Sequence, residues 1–331
     1  MNIVVTGATG FLGRRLVRRL VAEGLRVRCA VRPTSDVAAL RNFVGDEHWP
    51  AVDLVRVHLA DRDECRRLVE DADLVYHLAA ALRGSPAVLF AGTVVTTRRL
   101  IEATAACGAV RRFVLVSSLA VYGAGTLPKG ALLDEQCPVD PEPYRRDPYT
   151  YSKVVQEELA WEAYHRSQLP LVVVRPGVIY GDERGCLSSR VGLPFGRWLL
   201  QMGGRQRLPY TYVENCAEAV LLAGLTPRLE GQVINVVDDD LPTGGQVLRR
   251  LRRAGRRPPV IPIPRAAIGP LSWAFEWYYR VSRGQIPAVL TRYRCQAIWK
   301  PLRYSNAKAK SLLGWSPQVG FDEAVARSLM S

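Results

Sequence analysis

The chain is short of lysine. Of 45 basic residues in 331, only Lys129, Lys153, Lys300, Lys308 and Lys310 are lysine. Where positive charge alone is needed the chain uses arginine, so each lysine asks for a reason of its own. Paired cysteines are missing too. Cys29, Cys65, Cys107, Cys137, Cys186, Cys216 and Cys295 are seven, scattered, and without a CxxC spacing. That excludes a disulfide framework and a cysteine zinc site, assigns no metal, and fits a reducing cytoplasm. There is no run of about eighteen apolar residues, so no membrane-spanning helix is expected. The apolar run Ile3-Val4-Val5 begins almost at Met1 and leaves no room for a secretory leader. Repeats and low-complexity stretches are absent.

What is present in excess is positive charge, +14 net. It steers anions: nucleotide cofactors, phosphorylated substrates, anionic lipid or nucleic acid. The arginines sit in no nucleic-acid-binding motif, so no nucleic-acid partner is expected. The length suits one large α/β domain or two smaller ones.

The first 180 residues alternate strand-like and helix-like segments. Strands are expected at Ile3–Val5, Arg26–Val31, Leu54–His58, Leu74–His77, Phe113–Ser117 and Leu171–Arg175. Helices are expected at Phe11–Glu23, Thr93–Ala106 and Tyr151–Arg166. Short Val, Ile and Leu runs without strict alternation indicate a parallel sheet covered on both faces. Past residue 176 the rhythm breaks, with one more strand at Val233–Val237 and a basic cluster, Arg249–Arg257, read as a solvated helix end. The pattern predicts a Rossmann-type doubly wound α/β fold. Residues 1–176 form the dinucleotide-binding domain, with the late strand returning to it. Residues 177–331 form a smaller, mostly helical substrate-binding part.

Gly7, Gly10 and Gly13 follow the first strand and precede a helix. In that position one glycine allows a tight turn, one admits a pyrophosphate, and one lets helix and strand pack closely. The spacing is GxxGxxG. At the end of the second strand, where an acid would bond the ribose of NAD, the chain carries Arg32, which suits the 2′-phosphate of NADP. NAD or NADP is therefore expected, with the balance towards NADP. Asp36 is the alternative partner for a ribose.

The stretch DPYTYSKVVQEEL places Tyr149 and Lys153 four apart, on one helix face. A phenol is a poor proton carrier at neutral pH, and a nearby ammonium draws its pKa down. Tyr144 and Tyr151 are rival phenols, but neither has a lysine four residues on. Ser118, at the C-terminal end of the fifth strand, lies where ligands bind in open α/β sheets and can bond a substrate oxygen. Ser117 is expected to pack beneath it.

These residues resemble the extended short-chain dehydrogenase/reductase family, in its NAD-dependent epimerase/dehydratase branch. The resemblance runs through TGATGFLG (6–13), VYHLAA (75–80), FVLVSSLAVYG (113–123), YTYSK (149–153), RPGVIYG (175–181), YVENCAEAV (212–220) and RYSNAKAKSLLGWSP (303–317). It implies that the loop Gly7, Gly10, Phe11, Leu12 and Gly13 holds the pyrophosphate, and that Ala79 and Ala80 lie against the cofactor. It implies that Ser118 orients the reacting oxygen and Tyr149 moves the proton. Lys153 binds the nicotinamide ribose and tunes Tyr149, and Pro176 and Val178 approach the nicotinamide. A homodimer through helices beside the Tyr149 helix is also implied. Two places depart from the family: His58 stands where an aspartate usually meets the adenine, with Asp61 as the substitute, and Thr93 replaces an asparagine.

The resemblance leaves the substrate open. Leu119-Ala120 stand where sugar-nucleotide dehydratases carry an acid–base pair, which excludes 4,6-dehydration. Gly177 replaces the asparagine with which many epimerases hold a diphosphate. Asn215 and RPGVIYG resemble the 3β-hydroxysteroid dehydrogenase branch. Arg303 is a candidate for gripping a substrate phosphate. The aromatic cluster Trp273, Phe275, Trp277, Tyr278 and Tyr279 reads either as a core-packing helix or as an apolar substrate pocket or interfacial patch, with Arg280 and Arg283 beside it. Three functions follow: an epimerase or reductase of a nucleotide-activated sugar, a reductase or dehydrogenase of a 3-keto lipid or steroid-like compound, and a non-catalytic cofactor-binding sensor. The substrate is expected to be anionic or partly apolar, and peripheral membrane contact is compatible with the cluster.

Overall fold

A computed structural model describes residues 1–202, 204–255, 258–282 and 290–330. The chain runs through β1 (Ile3–Thr6), α1 (Gly13–Ala22), β2 (Val27–Val31), α2 (Val37–Val44), β3 (Val52–Arg56), α3 (Arg62–Val69) and β4 (Leu74–His77). It continues through α4 (Pro86–Phe90), α5 (Thr96–Cys107), β5 (Arg112–Val116), β6 (Leu132–Leu133), α6 (Pro148–Ser167) and β7 (Leu171–Pro176). Then come β8 (Val178–Tyr180), β9 (Gly192–Phe195), β10 (Trp198–Gln201), β11 (Tyr210–Tyr212), α7 (Val213–Leu225), β12 (Gln232–Val236) and α8 (Gly244–Arg253). The last elements are β13 (Val260–Pro262), α9 (Arg265–Val281), α10 (Arg292–Trp299), β14 (Arg303–Tyr304), α11 (Ala307–Leu313) and α12 (Phe321–Met330).

Seven strands make one parallel sheet in the order β12-β7-β5-β4-β1-β2-β3. Winding reverses between β1 and β4, and the crevice outside their C-terminal ends is the ligand position of such sheets. The strands are apolar on both faces because both are covered. Val4, Val75, Leu115 and Val173 pack with Leu68, Leu100 and Ala160 on one side. Ile3, Tyr76, Val114 and Val172 pack with Leu16, Val17 and Val220 on the other. Each such side chain contributes about 1.5–3 kcal/mol by burial. Shape fixes the register: the Tyr76 hydroxyl donates to the Leu221 carbonyl at 2.8 Å. A Cβ on Gly224 would sit 2.1 Å from that hydroxyl, so only glycine fits there.

Several boundaries move from the expected ones. β3 spans Val52–Arg56, so His58 lies beyond the sheet. α1 starts at Gly13, which leaves the loop before it out of the helix. α5 starts at Thr96 after a π-helical turn, Ala91–Val95, in which Gly92 slides past Ala81. α6 starts at Pro148, three residues early, because Asp147 caps it by accepting from the Thr150 N–H at 2.9 Å.

After residue 176 the described part is mostly helical, with a three-stranded sheet, β13-β10-β9, that periodicity did not reveal. α7 packs on the main sheet, and the arginine-rich α1 is tied to it. Arg15 is 1% exposed and meets Asp182 and Glu214, each at 3.3 Å. Part of the positive charge is thus spent internally. The basic cluster ends α8 with Arg249, Arg252 and Arg253 exposed; Arg256 and Arg257 lie outside the described residues, as does Arg283. The core-packing reading of the aromatic cluster is overturned, since Ser272 is the buried residue of α9 and all five aromatics are exposed. Among the described residues no helix is long and apolar enough to cross a membrane.

Candidate active site

A cleft of about 1300 Å³ runs along the C-terminal edge of the sheet. Gly7, Gly10, Phe11, Leu12, Gly13, Arg32, Ala79, Ala80, Ser118, Tyr149, Lys153, Pro176, Gly177 and Val178 all line it. At one end is the glycine loop. Gly7 has φ +72°, and a Cβ there would come within 2.9 Å of the Ala79 nitrogen. A Cβ on Gly13 would sit 2.0 Å from the Gly7 carbonyl oxygen, so the loop closes onto the first turn of α1 only with glycine at both places. No side chain caps α1; its Arg14 N–H donates to the Gly10 carbonyl at 3.1 Å, and the positive end of the helix faces the loop where a phosphate would sit. This is a cradle that fits a pyrophosphate. Arg32 is exposed at the cleft, and among the described residues its guanidinium has no hydrogen-bond or ion-pair partner.

In the middle of the cleft Ser118 accepts from the Ala120 N–H at 3.1 Å. The Ser118 hydroxyl faces the Tyr149 phenol and draws its pKa down. Burial raises the pKa of Tyr149 and the Asp147 carboxylate adds to the rise, while Ser118 and the Arg184 guanidinium pull it back. Ser117 packs beneath, donating to Glu157 at 2.6 Å, and Glu157 also binds Arg175. Tyr144 and Tyr151 do not line the cleft; the first bonds Glu142 and the second stacks on Phe90.

Lys153 is 3% exposed. Its ammonium donates to the Val116 carbonyl at 2.8 Å and to Gln156 Oε1 at 2.6 Å. Burial pushes it down to about 7, against the pull of Glu157. Lys153 is turned to the sheet and to Gln156, and Arg184 is a cation whose charge draws the Tyr149 pKa down.

Gln156 begins a buried chain whose donors can be assigned. Its Nε2 donates to Thr97 Oγ1 at 2.7 Å, and Thr97 donates to the Thr93 carbonyl at 2.6 Å. The Thr97 proton is thus in use, so His77 Nε2, 2.7 Å away, must be the donor to it. His77 Nδ1 then accepts from Thr6 Oγ1 at 2.7 Å, and Thr6 accepts from the Ala79 N–H at 3.3 Å. Burial, aided by the Lys153 charge, pushes His77 down to about 3 and keeps it neutral. The lysine and the backbone beside Gly7 are held by one network.

Residues 3–236 match the NAD dependent epimerase/dehydratase family. The chain belongs to that family. Relatives of this epimerase/dehydratase family member include a 2-alkyl-3-oxoalkanoate reductase of Shewanella oneidensis, 27% identical over 98% of this chain and 84% of the relative. A 3beta-hydroxysteroid-dehydrogenase/decarboxylase, isoform 1, of Arabidopsis thaliana is 27% identical over 99% of this chain and 79% of its own. The UDP-glucose 4-epimerase of Thermus thermophilus, solved with NAD, superposes with a TM-score of 0.72 at 26% identity, covering 100% of this chain and 98% of its own. The family member is thus an NAD-dependent oxidoreductase, and the sensor reading falls.

Four expected contacts of the family member are corrected. Asp61 does not line the cleft: its carboxylate caps α3, accepting from the Asp63 and Glu64 N–H groups at 2.9 Å. His58, Leu59 and Ala60 line the cleft in its place. Asp36 likewise caps α2. Asn215 is 1% exposed and ties Asp238 to the segment at Val319, so its role is structural. Arg303 lies in β14, bonded to the Gly130 carbonyl and away from the cleft. Sequence reasoning missed Arg83, Arg184, Arg190 and Arg294, which line the cleft. Arg184 stands three residues past RPGVIYG, but among 40 arginines nothing marked it. Arg190 bonds the Ile298 carbonyl, and Arg184 lies over the Phe11 ring. Among the described residues the guanidiniums of Arg83, Arg184 and Arg294 have no acidic partner. The lining acids are engaged elsewhere, Asp147 as a cap and Glu183 with Arg14.

Proposed function

We propose that this enzyme interconverts a ketone and an alcohol on an apolar body that carries a nearby carboxylate or comparable anion, and that it prefers NADP. The observation that carries the reading is the Tyr149 phenol within electrostatic reach of Arg184, a cation free of acidic partners among the described residues. Around it the lining is aliphatic: Leu119, Ala120, Val178, Ile179, Leu187 and Ile298. The nicotinamide cofactor, when bound, supplies or takes the hydride. Gly7 to Gly13 would hold its pyrophosphate, Arg32 its 2′-phosphate, and Lys153 its ribose. Ala79, Ala80, Pro176 and Val178 would flank it. Ser118 and Tyr149 converge on the substrate oxygen. Tyr149 gives up its proton as the alcohol forms, and Ser118 and Arg184 stabilise the phenolate left behind. Arg184, with Arg83 beside it, holds the anion.

Gly177 supports a substrate other than a nucleotide sugar. A Cβ there would come within 2.1 Å of the Pro209 carbonyl oxygen, so close packing requires glycine, and no side chain is offered to a diphosphate. The name of the Shewanella relative describes a ketone beside a carboxylate, in keeping with this cleft. The same proposal reads 1–176 as the cofactor domain and 177–331 as mainly the substrate side. It also takes the protein to be a cytoplasmic homodimer; a single sedimenting species near 36.8 kDa would remove the dimer.

The test is a cofactor and substrate panel. NADPH consumption should be faster than NADH consumption, should proceed with a 2-alkyl-3-oxoalkanoate, and should fall sharply with its methyl ester. Tight retained NAD, epimerisation of UDP-glucose, and no turnover of keto acids would sink the proposal.

A further inference from the structure

The subdomain of β9, β10, β13, α9 and α10 carries a surface the chemistry does not use. α9 rests on the subdomain core through the half-buried Ile268 and Leu271, which pack with Met202, Ile298 and Trp299. Its other faces meet solvent. Trp273 and Trp277 are each 55% exposed, and Phe275, Tyr278, Tyr279 and Val281 are exposed with them. Scattered exposed apolar residues need no explanation, but five aromatics within two turns of one helix do.

The charges decide what covers them. Glu276, the one acid of α9, is half-buried and turned to Arg292, accepting from its N–H at 2.6 Å and facing its guanidinium at 3.5 Å. Arg265 and Arg280 are exposed on the same helix. Across a second copy of this face Arg265 and Arg280 would meet like charges; an anionic bilayer is complementary to them. Tryptophan and tyrosine, with an apolar body and a polar tip, beside arginine are the residues that settle at a membrane–water interface. The helix is too short in apolar length to span. α10, which packs against α9, presents Arg294 and Ile298 to the cleft, so this surface adjoins the catalytic opening.

We propose that α9 is a docking helix that lays Trp273, Trp277 and their aromatic neighbours into the interfacial zone of an anionic lipid bilayer. This does not rest on the substrate assignment. The test is flotation of the full chain with vesicles of equimolar phosphatidylglycerol and phosphatidylcholine, beside vesicles of phosphatidylcholine alone. The protein floats with the anionic vesicles, less with the neutral ones, and less as salt rises. The variants Trp273→Ala and Trp277→Ala each lower partitioning on the order of tenfold, and the double variant keeps wild-type cofactor binding because neither residue lines the cleft. A chain that does not float, or a double variant that floats like wild type, overturns the proposal. So does a dimer that sediments as monomer only after the double substitution, because the face then belongs to a second copy.

Discussion

The two sides of the cleft are made of different material. On the cofactor side backbone does the work: Gly7, Gly13 and the Ala79 nitrogen approach so closely that no side chain fits between them. The polar groups behind them, Thr6, His77, Thr97, Gln156 and Lys153, are buried and paired. On the side we assign to the substrate, side chains line the cleft. Among the described residues Arg83, Arg184 and Arg294 reach the cleft without acidic partners. The difference follows from the ligands. A dinucleotide presents the same phosphates to every enzyme that uses it, and backbone can be shaped to them. A substrate is recognised by side chains that can change while the fold stays.

The comparison breaks most completely at the glycine loop. Gly13→Ala places a Cβ against the Gly7 carbonyl, and overpacking of this kind costs about 1–3 kcal/mol. Thermal unfolding should show that loss, and calorimetric titration with NADPH should show no binding. Next is Tyr149→Phe, which removes the proton carrier and leaves the cradle. Turnover should fall by roughly 10²–10⁴, with NADPH affinity unchanged.

Arg184→Met sharpens the substrate side. KM for a keto acid should rise on the order of tenfold or more, while KM for its ester should hardly move. Arg184 lowers the pKa of Tyr149, so in the variant the alkaline form that accepts the proton appears at higher pH. The rising limb of the oxidation rate should shift upward; an unmoved limb would remove Arg184 from the chemistry. Gln156→Leu leaves Lys153 and Thr97 short of a partner each, and should cost about 1–3 kcal/mol of stability.

The last test is a titration. The folded pKa of Lys153 is depressed from 10.5 to about 7. The unfolded chain therefore binds the extra proton between those values, and stability rises with pH across that window. Lys153→Met should flatten that rise in melting temperature.

Much of the cofactor side was legible because it is local. The strand–glycine loop–helix order, the Tyr149–Lys153 spacing and Ser118 at a strand end are short-range patterns, and all of them reach the cleft. Arg32 was legible by its place after β2. Asp61 and Asn215 misled because an aspartate before a helix and an asparagine beside a buried acid serve as caps and tethers as readily as they bind ligands. Arg184 was invisible because its significance is that no acid among the described residues pairs with it, a property of elements far apart in sequence. The small sheet was missed because Gly192, Pro194 and Pro262 interrupt its pattern.

The sequence by itself determined the doubly wound sheet, the phosphate loop and the family, since buried strands must be apolar on both faces and a phosphate cradle must be glycine. Only the tertiary structure decided which arginines are internal ion pairs and which face the cleft. It alone turned Lys153 towards Gln156 and left the aromatics of α9 in water. Pairing, burial and orientation are set by what each group meets across the fold, and a linear pattern does not contain the other partner.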